Sequence, residues 1–203
     1  MSFRYKFSIV LVVLGLISLM MSTVNKRSAS VPPEVILKEL QKGEFRIPAD
    51  QLAGFILNGD SGIRIIDLRD PEEYKTLSIP GAINIPLFSL LEPENKPLLD
   101  DASIKTIYYD NDESLSTRAW ILSLQKGYSN LSVLKGGLNK WDSIIMHSAF
   151  TGDKITPQEN ALFEKRYKVR RLFNQWNAMP DSLKSEFFAS RQKKEKELVG
   201  GCE

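Results

Sequence analysis

Residues 63–86 read IRIIDLRDPEEYKTLSIPGAINIP, and residues 106–141 read TIYYDNDESLSTRAWILSLQKGYSNLSVLKGGLNKW. Residues 63–68 form a short, nearly continuous apolar run, the pattern of a strand buried on both faces of a parallel sheet. Residues 83–86, 106–109 and 131–134 repeat that character. Between the last two, Leu115, Ala119, Trp120, Leu122 and Leu124 recur at helical spacing, and Gly127 gives a stop signal. Upstream, Phe45, Arg46 and Ile47 make a short strand leading through Pro48 into a helix that ends near Asn58 and Gly59. Strand and helix therefore alternate, which predicts an α/β domain with a mainly parallel central sheet flanked by helices.

Within this pattern some residues resist a purely apolar reading. Asp67 and Arg69 close a buried strand, where a charge needs a partner, so an internal ion-pair lock that includes Glu73 is expected. Gly81 and the pair Gly136-Gly137 suit tight turns or close backbone packing, and Trp141 is expected in the core. In order, the chain shows Asp67-x-Arg69, Pro71, Glu73-Tyr74, Ile79-Pro80-Gly81-Ala82 and Asn84-Ile85-Pro86. It closes with Gly127-Tyr128, Leu134-Lys135-Gly136-Gly137 and Trp141. Over about residues 45–148 this series resembles the rhodanese family of thiosulfate and persulfide sulfurtransferases. Leu77-Ser78 stand where that family usually has Gly-His. The resemblance implies the rhodanese fold, with Asp67, Arg69, Glu73, Gly81, Asn84, Gly136, Gly137 and Trp141 as its structural motif.

The resemblance also implies a loop C-x-x-G-x-R-S that closes a strand and opens a helix. In active relatives the helix N-terminus and loop N–H groups lower the thiol pKa and hold anionic sulfur. Here the corresponding run is Asp110-Asn111-Asp112-Glu113-Ser114-Leu115-Ser116, placing Asp110 at the nucleophile, Glu113 at the glycine and Leu115 at the arginine. A carboxylate cannot carry sulfane sulfur, so no catalytic residue is expected in this vestigial loop. Asp110, Asp112 and Glu113 also oppose an anionic donor: two like charges 4 Å apart repel by about 1 kcal/mol in water and about 4 kcal/mol at an effective dielectric of 20. The same side chains suit a helix N-terminus, giving a self-capped loop. The alternative use of such a loop is to attract a cation or a basic peptide.

The flanks carry separate expectations. No charge occurs from Phe7 to Asn25, and an 18-residue apolar helix over residues 7–24 would span roughly 27 Å. Residues 1–24 are accordingly read as a transmembrane anchor, with a cleaved signal segment as the alternative, and residues 25–44 as a tether. This predicts a single-pass membrane protein with an exported domain; the alternatives are a domain on the cytoplasmic face or secretion after cleavage. Residues 149–203 are expected to add a helical C-terminal extension. Thr156-Pro157-Gln158-Glu159 reads as a capping box ahead of Leu162, Phe163, Tyr167, Val169, Leu172, Phe173 and Trp176. A second helix from Asp181 would use Leu183, Phe187 and Phe188 as its apolar face. The closing Gly200-Gly201-Cys202-Glu203 is expected to form a flexible end.

Composition closes off other classes. The net charge is +2, with an acidic centre between weakly basic flanks, and no nucleic-acid partner is expected. Cys202 is the single cysteine, which excludes an internal disulfide and a multi-cysteine zinc site. Neither metal nor cofactor is expected. The reading is a rhodanese-like protein without sulfurtransferase activity in the usual loop, serving as a binding or regulatory module. Its expected partner is an unidentified protein, with a sulfur-metabolism component as one candidate. The alternative is a sulfur-handling protein that carries sulfur on Cys202, whose glycine-rich arm has a partial similarity to sulfur-oxidation carriers.

Overall fold

The fold is taken from a computed structural model that describes residues 31–149 and 156–199. In chain order the elements are α1 (Pro33–Lys42), β1 (Arg46–Ile47), α2 (Ala49–Leu57), β2 (Ile63–Asp67), α3 (Pro71–Thr76), β3 (Ala82–Asn84), α4 (Lys96–Asp100), β4 (Lys105–Tyr109), α5 (Ser114–Gln125), β5 (Leu131–Leu134), α6 (Gly137–Trp141), α7 (Pro157–Asn177) and α8 (Asp181–Val199). The strands form one sheet in the order β1-β5-β4-β2-β3, and every pairing is parallel. Parallel neighbours require crossovers, and the helices that make them cover both faces of the sheet.

The apolar runs divide between those faces with a period of two. Ile65, Ile107, Tyr109 and Leu134 point into a core with α2, α6 and α7. Ile66, Tyr108 and Val133 point the other way, into a core with Ile36, Phe45, Leu99, Ala119 and Trp120. Phe45 stacks on Trp120 with ring centroids 4.1 Å apart, tying the start of the sheet to α5.

The C-terminal extension is part of this packing. The expected capping box forms: Thr156 Oγ1 accepts the Glu159 N–H at 3.2 Å, and Glu159 Oε2 accepts the Thr156 N–H at 2.8 Å. Val169, Leu172, Phe173 and Trp176 are buried by α7, each worth about 1.5–3 kcal/mol by the area it removes from water. Arg166 grips Asp50 of α2 through two bonds, Nε to Oδ1 at 2.7 Å and Nη2 to Oδ2 at 2.6 Å. At the other end of α7, Asn177 accepts the Ser78 N–H at 2.8 Å and donates to the Ser78 carbonyl at 3.0 Å. Trp176 Nε1 donates to Ser78 Oγ at 3.0 Å. The residue standing in place of the family's usual histidine thus anchors the extension. In α8, Phe187 packs on the core and Phe188 on Trp176 as expected, whereas Leu183 is exposed and Lys184 turns inward beneath the Trp176 ring.

The expected membrane localisation is corrected. Among the described residues no helix is long and apolar enough to cross a membrane. Residues 7–24, on which that expectation rested, lie outside the described residues, as do residues 25–30 of the tether; the rest of the tether carries α1, whose Ile36 is buried in the core with Phe45 and Trp120.

Candidate functional site

The loop between β4 and α5 is built around one carboxylate. Asp110 follows the last residue of β4 and is 2% exposed. Its Oδ1 accepts the N–H groups of Glu113 at 3.1 Å and Ser116 at 3.3 Å, together with the Ser116 hydroxyl at 2.6 Å. Its Oδ2 accepts the Leu115 N–H at 2.9 Å. These are the free donors at the start of α5, where an unsatisfied N–H would otherwise meet an external anion. The side chain of Asp110 fills that place from within.

The other two carboxylates are also engaged. Glu113 has φ of 86°, a left-handed conformation that costs a non-glycine residue on the order of 1 kcal/mol. The family pattern has glycine here, which meets the same backbone demand without strain. In this chain the conformation is held by the Glu113 carboxylate, which pairs with Arg46 of β1 and accepts the Gly136 N–H at 2.7 Å. Asp112 accepts the Ser114 N–H at 2.9 Å, and the backbone and hydroxyl of Ser114 hold its carboxyl below the usual range. The carboxylates that suggested an open cation site thus all accept hydrogen bonds within the protein, and Glu113 is also paired with a cation. Among the described residues no group of three or more His, Cys, Asp or Glu is arranged to hold a metal ion.

The two glycines after β5 form the facing wall. The N–H of Leu138 donates to the Asp110 carbonyl at 2.8 Å, and that of Asn139 to the Asn111 carbonyl at 3.0 Å. A Cβ on Gly137 would sit 2.5 Å from the Asp110 carbonyl oxygen and 2.7 Å from the Asn111 carbonyl, both main-chain atoms. Gly137 also has φ of 57°, so the position suits glycine on two counts. Arg118, three positions beyond the family's arginine, is exposed and supplies nothing to this wall.

Beneath the loop lies the ion pair expected from the sequence. Arg69 donates through Nε to Asp67 Oδ1 at 3.0 Å and through Nη2 to Oδ2 at 2.6 Å, with both side chains buried. Burial opposes the Arg69 charge; the Asp67 carboxylate outweighs it and raises the guanidinium pKa. Glu73 departs from the expected lock. Its Oε1 accepts the Asn111 side-chain N–H at 2.8 Å, while Asn111 Oδ1 accepts from Arg69 Nη1 at 3.3 Å. Asn111 thus spans the distance between α3 and the buried pair. Asn84 donates to the carbonyls of Asp67 at 3.2 Å and Arg69 at 2.9 Å, fixing the end of β2. Gly81 has φ of 79° and lies under the ring of Phe188. Trp141 is fully buried, with its ring 6.3 Å from that of Phe173.

Sequence reasoning did not find Arg46, which reaches Glu113 across 67 positions of chain, or Asn177, which reaches Ser78 across 99. No local pattern marks either partnership. Cys202 lies outside the described residues.

The sequence pattern of the rhodanese-like domain matches residues 49–144. The chain carries a rhodanese-like domain. It is 29% identical over 94 residues to the thiosulfate sulfurtransferase GlpE of Pseudomonas paraeruginosa, covering 46% of this chain and 83% of that one. It is 30% identical over 111 residues to the adenylyltransferase and sulfurtransferase UBA4 of Scheffersomyces stipitis, covering 50% of this chain and 25% of the relative. To the centrosomal protein of 41 kDa of Bos taurus it is 28% identical over 139 residues, covering 62% of this chain and 37% of the relative. The chain therefore spans only a quarter to two fifths of the length of the last two. Among solved structures, the BH2092 protein of Bacillus halodurans is similar at 26% identity and a TM-score of 0.47, covering 65% of this chain and 99% of that one.

Proposed function

We propose that this rhodanese-like domain does not transfer sulfur through its β4–α5 loop and serves as a binding or regulatory module. The observation that carries this reading is the Asp110 carboxylate, which takes up the donors at the start of α5. Sulfur transfer through such a loop needs a polarisable thiolate that can hold a second sulfur atom, and those N–H groups must be open to the anionic species. With Asp110 at the nucleophile position, neither requirement is met. Two of the relatives are named as sulfurtransferases; the resemblance places a cysteine where this chain has Asp110.

The scaffold around the loop is nonetheless retained. The Asp67–Arg69 pair, the Asn111 bridge and the Gly136–Gly137 wall all hold a fixed surface at the end of the sheet. That surface presents backbone and hydrogen-bonded side chains held in fixed positions, suited to recognition of a protein partner by shape.

A thiosulfate:cyanide sulfurtransferase assay on the full chain tests the reading. Thiocyanate formation is expected to stay at the uncatalysed rate, both in the wild-type chain and in Cys202→Ala. Turnover that persists in Cys202→Ala would overturn the proposal, because the loop itself would then be catalytic.

A further inference from the structure

A second surface lies away from the loop, where α8 runs beside the β2–β3 edge of the sheet. Together with α3 these elements enclose a groove of about 670 Å³. That is within the range of small-molecule sites, roughly 300–1,000 Å³. Its walls are mostly apolar, contributed by Ile65, Ile83, Trp176 and Phe188. Ile83 is 42% exposed although it lies on a strand, so this apolar surface is open to solvent.

One charged group is set into those walls. Lys184 is 7% exposed, which is unusual for lysine without close pairing. Its ammonium lies 5.6 Å from the centre of the Trp176 ring, a cation–π arrangement. It donates at 2.7 Å to Asp181, whose side chain is 66% exposed and turned to water. An ammonium has three donors, and among the described residues Lys184 uses one of them. Arg64 and Lys75 also line the groove, whereas Asp181 is the single carboxylate in its lining. Lys75 is paired with Glu72 at 2.9 Å and Arg64 donates to the Leu98 carbonyl, so the donors to spare at the polar end of the groove are those of Lys184, while its body is apolar.

We propose that this groove binds a small amphipathic carboxylate, with the carboxyl group on Lys184 and an apolar body lying along Ile83, Trp176 and Phe188. A carboxylate completes the donors of the Lys184 ammonium by charge-assisted hydrogen bonds. The tail covers the exposed apolar wall. A cation of the same length meets Lys184 with like charge, and an alcohol offers the ammonium a neutral acceptor in place of a charged one. This inference stands apart from the loop and from the absence of sulfur transfer there.

The test uses the full chain and 10-bromodecanoate, whose bromine quenches a nearby indole, with 10-bromodecanol as the uncharged comparator. Saturable quenching by the acid is expected, at least tenfold tighter than by the alcohol, and largely lost in Trp176→Phe. Lys184→Gln should weaken the acid about tenfold and leave the alcohol unchanged. Ala189→Trp, placed on an exposed position of α8 that lines the groove, should abolish binding of both while thermal unfolding stays cooperative. Equal affinity for acid and alcohol, an unchanged midpoint in Lys184→Gln, or no saturation below the micellar range would each overturn the proposal. So would concentration-dependent dimerisation abolished by Ala189→Trp and insensitive to decanoate, which would assign the groove to a second copy of the chain.

Discussion

Replacing Asp110 by alanine isolates the contribution of the internal anion. The substitution removes both carboxylate oxygens and leaves the N–H groups of Glu113, Leu115 and Ser116 and the Ser116 hydroxyl without their acceptor. Ser116 is fully buried, so its orphaned groups cannot turn to water, whereas Glu113 and Leu115 are half-buried and recover part of the loss by hydration. A stranded buried donor costs about 1–3 kcal/mol, and each charge-assisted bond contributes about 1.5–3 kcal/mol. Allowing for hydration of the outer two, the expected loss is about 4 kcal/mol. With a urea m-value of about 2 kcal/mol/M, the unfolding midpoint should fall by about 2 M. Asp110→Asn keeps one oxygen but turns an NH2 group toward a donor, and should cost about half as much. Asp112→Ala, which removes an exposed carboxylate that accepts one N–H in the same loop, should cost about 1 kcal/mol. Urea unfolding followed by far-ultraviolet circular dichroism reads all three. If Asp110→Ala lies within 1 kcal/mol of the parent, or costs no more than Asp112→Ala, the carboxylate is not the organising group of the loop.

Three further outcomes follow from the packing. Gly137→Ala forces a methyl group against the Asp110 and Asn111 carbonyls at a left-handed backbone position; a loss of about 3 kcal/mol or more is expected in urea unfolding, and a loss below 1 kcal/mol would mean that the two segments do not touch. Asn177→Ala strands the Ser78 N–H and should cost about 2 kcal/mol. The same substitution should speed amide exchange at Ser78, and unchanged protection there would detach α7 from the domain. At alkaline pH, burial pushes Tyr108 up to about 12, only partly offset by its bond to Ser123. In the unfolded chain a tyrosine ionises near 10, so above pH 10 the unfolded state binds fewer protons than the native one and stability falls as pH rises. Between pH 10 and 12 Tyr108 should account for roughly 2 kcal/mol of that fall, and Tyr108→Phe should flatten the stability profile in this interval.

The sheet was legible because buried parallel strands tolerate few polar residues, so residues 63–68, 106–109 and 131–134 stand out from their surroundings. Helix limits at Gly127 and at Thr156 were legible for a local reason, since caps are chosen within three or four positions of chain. The Asp67–Arg69 pair could be anticipated because both charges end a strand that has no water to face. Its third member could not: Glu73 turns to Asn111, and that choice depends on where the β4–α5 loop lands relative to α3. The acidic loop shows the same limit. Three neighbouring carboxylates read as repulsive until Arg46 and the Gly136 N–H arrive from distant parts of the chain to engage Glu113. In α8 the burial of Lys184 in place of Leu183 is set by the aromatic surface of Trp176, which belongs to another helix.

The contribution of α7 to the core bears on how this protein can be cut. The family match stops at residue 144, short of the helix that covers α2, Trp141 and Ile145 and secures Ser78. A fragment trimmed to that homology limit would bare a broad oily face and strand the partners of Asn177 and Arg166, inviting self-association. Any search for binding partners with such a fragment would retrieve proteins that stick to the wound, so bait for this molecule has to extend at least through Asn177.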